Sequence, residues 1–291
     1  MLLLAASGPG AIGQTAPSPT PEQSPPAQTL PPQPLFNFKE SDVKFNFTAL
    51  MNTLRNSRHE GWVLAAYPDP KTSRPLIGAG FSLDVAATEH IQRDPLNPYP
   101  FIEPSSAQLW QAAGLEDARL QAILDQYDRD LKKWKKKNYR KKIRTRELTP
   151  QITSEEATSL LRISAIQAVY NSRAYCRNFD QLTASQQMAL SQLVYQMGVN
   201  LEEFVEFLAA INDGYVTAQA QDNANENEYW KSVQGTLIHS QWARRYTTRA
   251  VTVIAMFDPD YAEKPKESER EVRAQLRPPL RHRKKTHTAP A

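Results

Sequence analysis

Two capping boxes constrain this chain more than any other feature. Thr153 is followed three residues later by Glu156, and Thr183 by Gln186; each pair lets a hydroxyl and a side-chain acceptor satisfy backbone amides at a helix start. Behind the first, Ala157, Leu160, Leu161, Ser164, Ala165, Ala168 and Val169 repeat on one face. Behind the second, Ala189, Leu190, Leu193, Val194 and Met197 run to Gly198, a C′ glycine by its position. Segments 201–213 and 246–257 carry the same periodicity, so the C-terminal half is expected to be a helical bundle.

The N-terminal part reads differently. Leu50, Met51 and Leu54 fall at helical intervals and predict a short helix before Glu60. The prolines and glycines of PDPKTSRPLIGAGFSLD then break that pattern, and PLIGAGF reads as a short strand or turn. The fold class expected is α+β, mainly helical, with a small mixed lobe and a larger helical one.

The ends have another composition. Eight of the 22 prolines lie between Pro17 and Pro34, among Ser, Thr, Gln and Ala, which predicts an extended, disordered linker over 17–39. The first sixteen residues have the apolar run and small-residue end of a secretory signal without its basic leader, so they read as a truncated or atypical signal segment. The charge-rich tail 263–291 is expected to be disordered, with a middle that turns helical transiently. The ordered domain is thus expected over 40–262, with a basic helical insertion at about 85–150.

In that insertion, ten of the fifteen residues from Lys132 to Arg146 are Lys or Arg, interrupted by Trp134, Tyr139 and Ile143. Such a run suits an anionic cell wall, an anionic membrane surface or nucleic acid, and export favours the wall over nucleic acid. No stretch approaches the roughly 20 apolar residues of a membrane span.

Metal and nucleophile chemistry find little support. His59-Glu60 lacks a second histidine four residues after the first, where Val63 stands. The one cysteine, Cys176, excludes an internal disulfide and reads as a core residue. There is no G-x-S-x-G elbow, and the GAG at 78–80 is too short to cradle phosphate. No metal and no cofactor are implied.

Carboxylates remain. Glu60, beside Trp62, and Asp69 on the following turn could have divergent environments, one keeping its proton and the other ionised. Glycosidic cleavage needs that division: one group protonates the leaving oxygen, while the other stabilises the oxocarbenium-like state or activates water.

The surrounding residues give this spacing a context. E-G-W-x4-Y-x-D followed by I-G-A-G-F resembles the catalytic segment of T4-type phage lysozymes, glycoside hydrolase family 24. ITSEEATSLL resembles the start of that family's lobe-joining helix. LTASQQMALSQLVYQMGVNLEEF resembles its buried central helix, and SQWARRYTTRAVTVIAMF its S-x-W-x6-R-A segment. The four segments occur in family order over residues 44–258.

The resemblance implies a two-lobed lysozyme-like fold and cleavage of the β-1,4 bond between N-acetylmuramic acid and N-acetylglucosamine. It places the general acid on Glu60, the second carboxylate on Asp69, an arginine orienting the acid on Arg249 and a cleft glutamine on Gln196. Gly78 and Gly80 would let the backbone approach the saccharide. Peptidoglycan is the implied partner, a monomer the expected state, and the bacterial periplasm or exterior the expected location.

Two positions depart from the family pattern: Leu76 stands where the family has the threonine that helps position the attacking water, and Phe81 replaces a histidine. Three outcomes stay open. Thr72 or Ser73 supplies the hydroxyl, the product is a 1,6-anhydro sugar for which one glutamate suffices, or the site binds glycan without cleaving it. Binding of nucleic acid or a protein partner through the basic insertion is the reading from another class.

Overall fold

The structure, a computed structural model, describes residues 30–56, 61–133, 148–214 and 223–276. The chain divides into a unit ending at Leu30 and a second beginning at Pro31, and the description below concerns the second. Its helices are α1 (Pro34–Asn37), α2 (Phe47–Leu54), α3 (Ser106–Ala112), α4 (Asp117–Leu131), α5 (Ser154–Tyr175), α6 (Ala184–Met197), α7 (Val205–Ala209), α8 (Asn223–Ile238), α9 (Gln241–Arg245), α10 (Thr247–Ala255) and α11 (Pro265–Leu276). Strands β1 (Val63–Pro68), β2 (Pro75–Gly78) and β3 (Phe81–Ser82) form one antiparallel sheet in sequence order. Among the described residues the protein is mostly helical with this small sheet, as an α+β, mainly helical class requires.

Both capping boxes form. Thr153 accepts from the Glu156 amide and Glu156 from the Thr153 amide, and Thr183 and Gln186 repeat the exchange. Each hydroxyl cap is worth about 1 kcal/mol to a helix that must start at one residue and no other. The helix launched at Ser154 has 22 residues, about 33 Å at 1.5 Å per residue. Its N-terminal half packs against β2 and β3, and its length carries it on to pack along α6. Ala157, Leu160, Leu161, Ala165, Ala168 and Val169 are all buried, as their spacing predicts.

The sheet hangs on this helix. Tyr67 pairs with Leu76 and Pro68 with Pro75, and the register shifts between Val63 and Tyr67. Ile77, on the inward face, is fully buried. Gly78 and Gly80, with φ of +61° and +81°, make the tight β2–β3 turn, so their first use is the reversal of the chain. The Tyr195 hydroxyl on α6 donates to the Ala79 carbonyl in that turn at 2.9 Å, joining the sheet to the helical side.

Several sequence expectations are corrected. Residues 34–39 are not linker: α1 forms there, and Leu35 and Phe38 are buried, because two large apolar side chains gain more from burial than the segment loses in chain entropy. The tail is ordered as far as Leu276; α11 packs on α10, buries Val272, and its Ser268 hydroxyl donates to Asp258 Oδ2 at 2.5 Å. In the insertion, α3 and α4 are helical, but residues 85–104 form neither helix nor strand. The expected helix over 201–213 is broken into a 3-10 turn (Gly198–Glu203), α7 and a π turn (Ala210–Gly214). The buried Leu201 and Phe207 are six residues apart, about 240° around an α-helix, so a continuous α-helix would not turn both to the core. Residues 1–29, expected to contain the signal segment and most of the linker, and 277–291 of the tail lie outside the described residues, as do Glu60 and 134–146 of the basic run.

Candidate active site

The loop from Asp69 to Arg74 is built around one carboxylate oxygen. Asp69 Oδ1 accepts from the Lys71 amide at 2.8 Å, the Thr72 amide at 2.7 Å and the Thr72 hydroxyl at 2.9 Å. Pro70 suits the start of such a turn, since its ring sets φ and no amide is lost from the ladder. The turn closes with the Asp69 amide on the Arg74 carbonyl at 2.8 Å and the Ser73 amide on the Asp69 carbonyl at 2.9 Å. Ser73 takes φ +62°, a left-handed conformation that costs a residue with a Cβ. The Tyr127 hydroxyl on α4 donates to the Ser73 carbonyl, and Arg74 pairs with Asp84 at 3.2 Å, so the loop is braced on both sides.

These donors set the charge of Asp69. Partial burial raises its carboxyl pKa, but the Thr72 and Lys71 amides, the Thr72 hydroxyl and the Lys71 charge together overcome that and hold it below the usual carboxylate range. Asp69 therefore stays ionised wherever the protein is folded near neutral pH. Among the described residues no hydrogen bond is made to its Oδ2.

A cleft of about 1100 Å³ opens beside the loop. Lys71 lines it from the sheet side, while Gln196, Asn200, Phe204, Trp242 and Tyr246 line it from the helical side. Gln196 is fixed there because its Oε1 accepts from Trp242 Nε1 at 3.0 Å, tying the end of α6 to α9. Ser240 caps α9 by accepting from the Ala243 amide, which positions Trp242 in the first turn. Polar and aromatic side chains thus line the cleft together.

Of the 69–74 turn, Lys71 lines the cleft that Gln196 lines, and Asp69, Thr72 and Ser73 do not. Arg249 lies in the first turn of α10 and is 6% exposed; it does not line the cleft. Gly78 and Gly80 sit in the β2–β3 turn, and neither lines it. Leu76 is half-buried, paired with Tyr67 and Ser82, so it supplies packing and no hydroxyl. The Thr72 hydroxyl is engaged with Asp69, whereas Ser73 contributes its backbone conformation. Glu60, and with it any contact to Arg249, lies outside the described residues; Gly61, next in the chain, has φ +86°.

Lys71, Asn200, Phe204 and Tyr246 are cleft residues that sequence reasoning missed. Proximity to Asp69 and Gln196 was the sole signal for the first two. Which side chains of a turn face a cleft depends on its backbone conformations, and the left-handed Ser73 carries no sequence signature. Among the described residues no group of three His, Cys, Asp or Glu could hold a metal ion, and no helix is long and apolar enough to cross a membrane. No protein-family model, curated protein or solved structure matches the chain.

Proposed function

We propose that the protein is a peptidoglycan-degrading muramidase with a lysozyme-like fold, cleaving the β-1,4 bond between N-acetylmuramic acid and N-acetylglucosamine by general acid catalysis. The observation that carries the reading is the Asp69 turn: a carboxylate held ionised by three donors, in a turn whose Lys71 lines the same cleft as the Gln196–Trp242 pair. In such chemistry positive charge develops on the sugar ring, and a carboxylate that cannot take up a proton stabilises it or orients water against it.

Glu60 is the general acid in this reading, protonating the leaving oxygen, and the buried Arg249 orients it. Gln196 contacts the sugar from the far wall. The Thr72 hydroxyl, already within reach of Asp69, is the replacement for the hydroxyl that Leu76 lacks, holding the water that Asp69 activates. A long α5 running from the sheet to the helical side, and the Tyr195 bond to the β2–β3 turn, suit a two-lobed lysozyme-like arrangement. Export to a bacterial periplasm or exterior follows from the substrate, and no cofactor takes part.

Mass spectrometry of fragments released from purified peptidoglycan by the wild type and by Glu60→Gln tests this. Muropeptides released by the wild type alone support it, and reducing or 1,6-anhydro ends separate hydrolysis from transglycosylation. Leu76 favours one second reading, a glycan-binding module without catalysis; retention of both proteins on the wall with no release would establish it.

A further inference from the structure

His90 sits in the irregular segment 85–104. Its ring is stacked on Phe101 at 3.7 Å between centroids and meets the edge of Tyr175 from α5. The side chain is 9% exposed. Two carboxylates face it from different parts of the chain: Glu202 Oε1 lies 2.6 Å from Nε2, and Glu103 Oε1 lies 3.9 Å from Nδ1. Nδ1 is buried without a hydrogen-bond partner.

The surroundings decide which proton state fits. Glu202 Oε2 already has Arg93 Nη2 at 3.1 Å, so Oε1 is the acceptor left for His90 and Nε2 must donate. A neutral imidazole then turns the Nδ1 lone pair toward the Glu103 carboxylate, acceptor against acceptor. An imidazolium instead directs an N–H at Glu103 and places a positive charge between two carboxylates. Asn171 donates to Glu103 at 2.8 Å, and Gln167 approaches its other oxygen, which holds that carboxylate in place. The Tyr175 hydroxyl, kept neutral by burial and by Glu202 and Glu103, donates to the Gly198 carbonyl at 3.1 Å.

Glu202 belongs to the Gly198–Glu203 turn, and that turn walls the cleft through Asn200 and Glu203. The residues around His90 therefore join a segment without regular structure to a wall of the candidate site.

We propose that His90 is a proton-operated latch: its imidazolium clamps segment 85–104 to the Gly198–Glu203 turn, and loss of the proton loosens both. The sign follows from the ion pairs, which exist only while the ring is charged. Burial raises the Glu103 carboxyl pKa against the pull of His90 and Asn171, and because only ionised Glu103 pairs with the ring, that pair is complete above the raised value. The latch operates whatever the cleft binds.

Hydrogen exchange of the full chain, corrected for the intrinsic rate at each pH, tests it on peptides covering 85–104 and 198–206. In the wild type, protection of both should fall by about tenfold between pH 5 and pH 8. In His90→Gln protection should be low and flat across that range. Glu202→Gln, at a side chain 25% exposed, should also lose the pH response and carries the comparison if the first variant does not fold. Wild-type protection that is flat or rises with pH, or an unchanged slope in a folded variant, overturns the proposal. Because the readout is not activity, its failure is distinct from failure of the muramidase reading.

Discussion

Trp242 Nε1 donates to Gln196 Oε1 at 3.0 Å, across the junction of α9 and the last turn of α6. The indole is 4% exposed, so the bond fixes a polar acceptor at a cleft wall that would otherwise be free to rotate. Trp242→Phe keeps most of the ring's packing and removes the donor. The expected cost is about 1 kcal/mol in urea unfolding, the net worth of one hydrogen bond, together with, on the proposed muramidase reading, a raised KM for soluble glycan because Gln196 loses its orientation.

Asp69→Asn keeps an oxygen for the Lys71 and Thr72 amides but removes the charge. The loop should persist, with the circular dichroism spectrum unchanged, while on the proposed muramidase reading muropeptide release falls by roughly 10²-fold or more, the scale of a lost acid/base group. Because the folded-state pKa of Asp69 lies below its ordinary value of 3.8, its ionised form contributes stability above that value, lost as pH falls through the lowered one. The difference in melting temperature between wild type and variant should therefore be constant near neutrality and shrink in acid below the ordinary value. A difference that grows in acid would contradict the assignment.

Ser73 holds φ +62° at the closing of the same loop. Ser73→Gly removes the Cβ that makes this conformation costly, and it should raise stability by up to about 1 kcal/mol, less the extra entropy glycine brings to the unfolded chain. Thermal unfolding at fixed pH measures it. Activity that depends on a Ser73 hydroxyl would fall in the same variant, whereas activity that depends on Thr72 would not.

Cys176 is fully buried at the end of α5, and burial pushes its thiol up to about 12. At pH 8 the folded protein should resist a thiol-specific reagent and react stoichiometrically once denatured. Native-state labelling at a measurable rate would then report opening of the α5 end, near Asn212 and Arg177.

The sequence by itself determined the helices that its local chemistry specifies. A threonine with an acidic or amide partner three residues on, followed by a 3.6-residue apolar repeat, sets a helix start whatever surrounds it, and α5 and α6 begin at Ser154 and Ala184 accordingly. The Asp69 turn was legible in part for the same reason: aspartate before proline is local turn chemistry. Tertiary structure decided what local pattern leaves undetermined. Leu35, Phe38 and Val272 lie in polar, proline-rich or charged sequence that looks unable to fold alone, and each is ordered because the rest of the core offers it an apolar face. The break of segment 201–213 and the facing of Lys71, Gln196 and Trp242 across one cleft also come from packing. Hydrogen bonds such as Trp242 to Gln196, 46 residues apart, and His90 to Glu202, 112 apart, depend on where whole elements come to rest, and no periodicity along the chain encodes that distance.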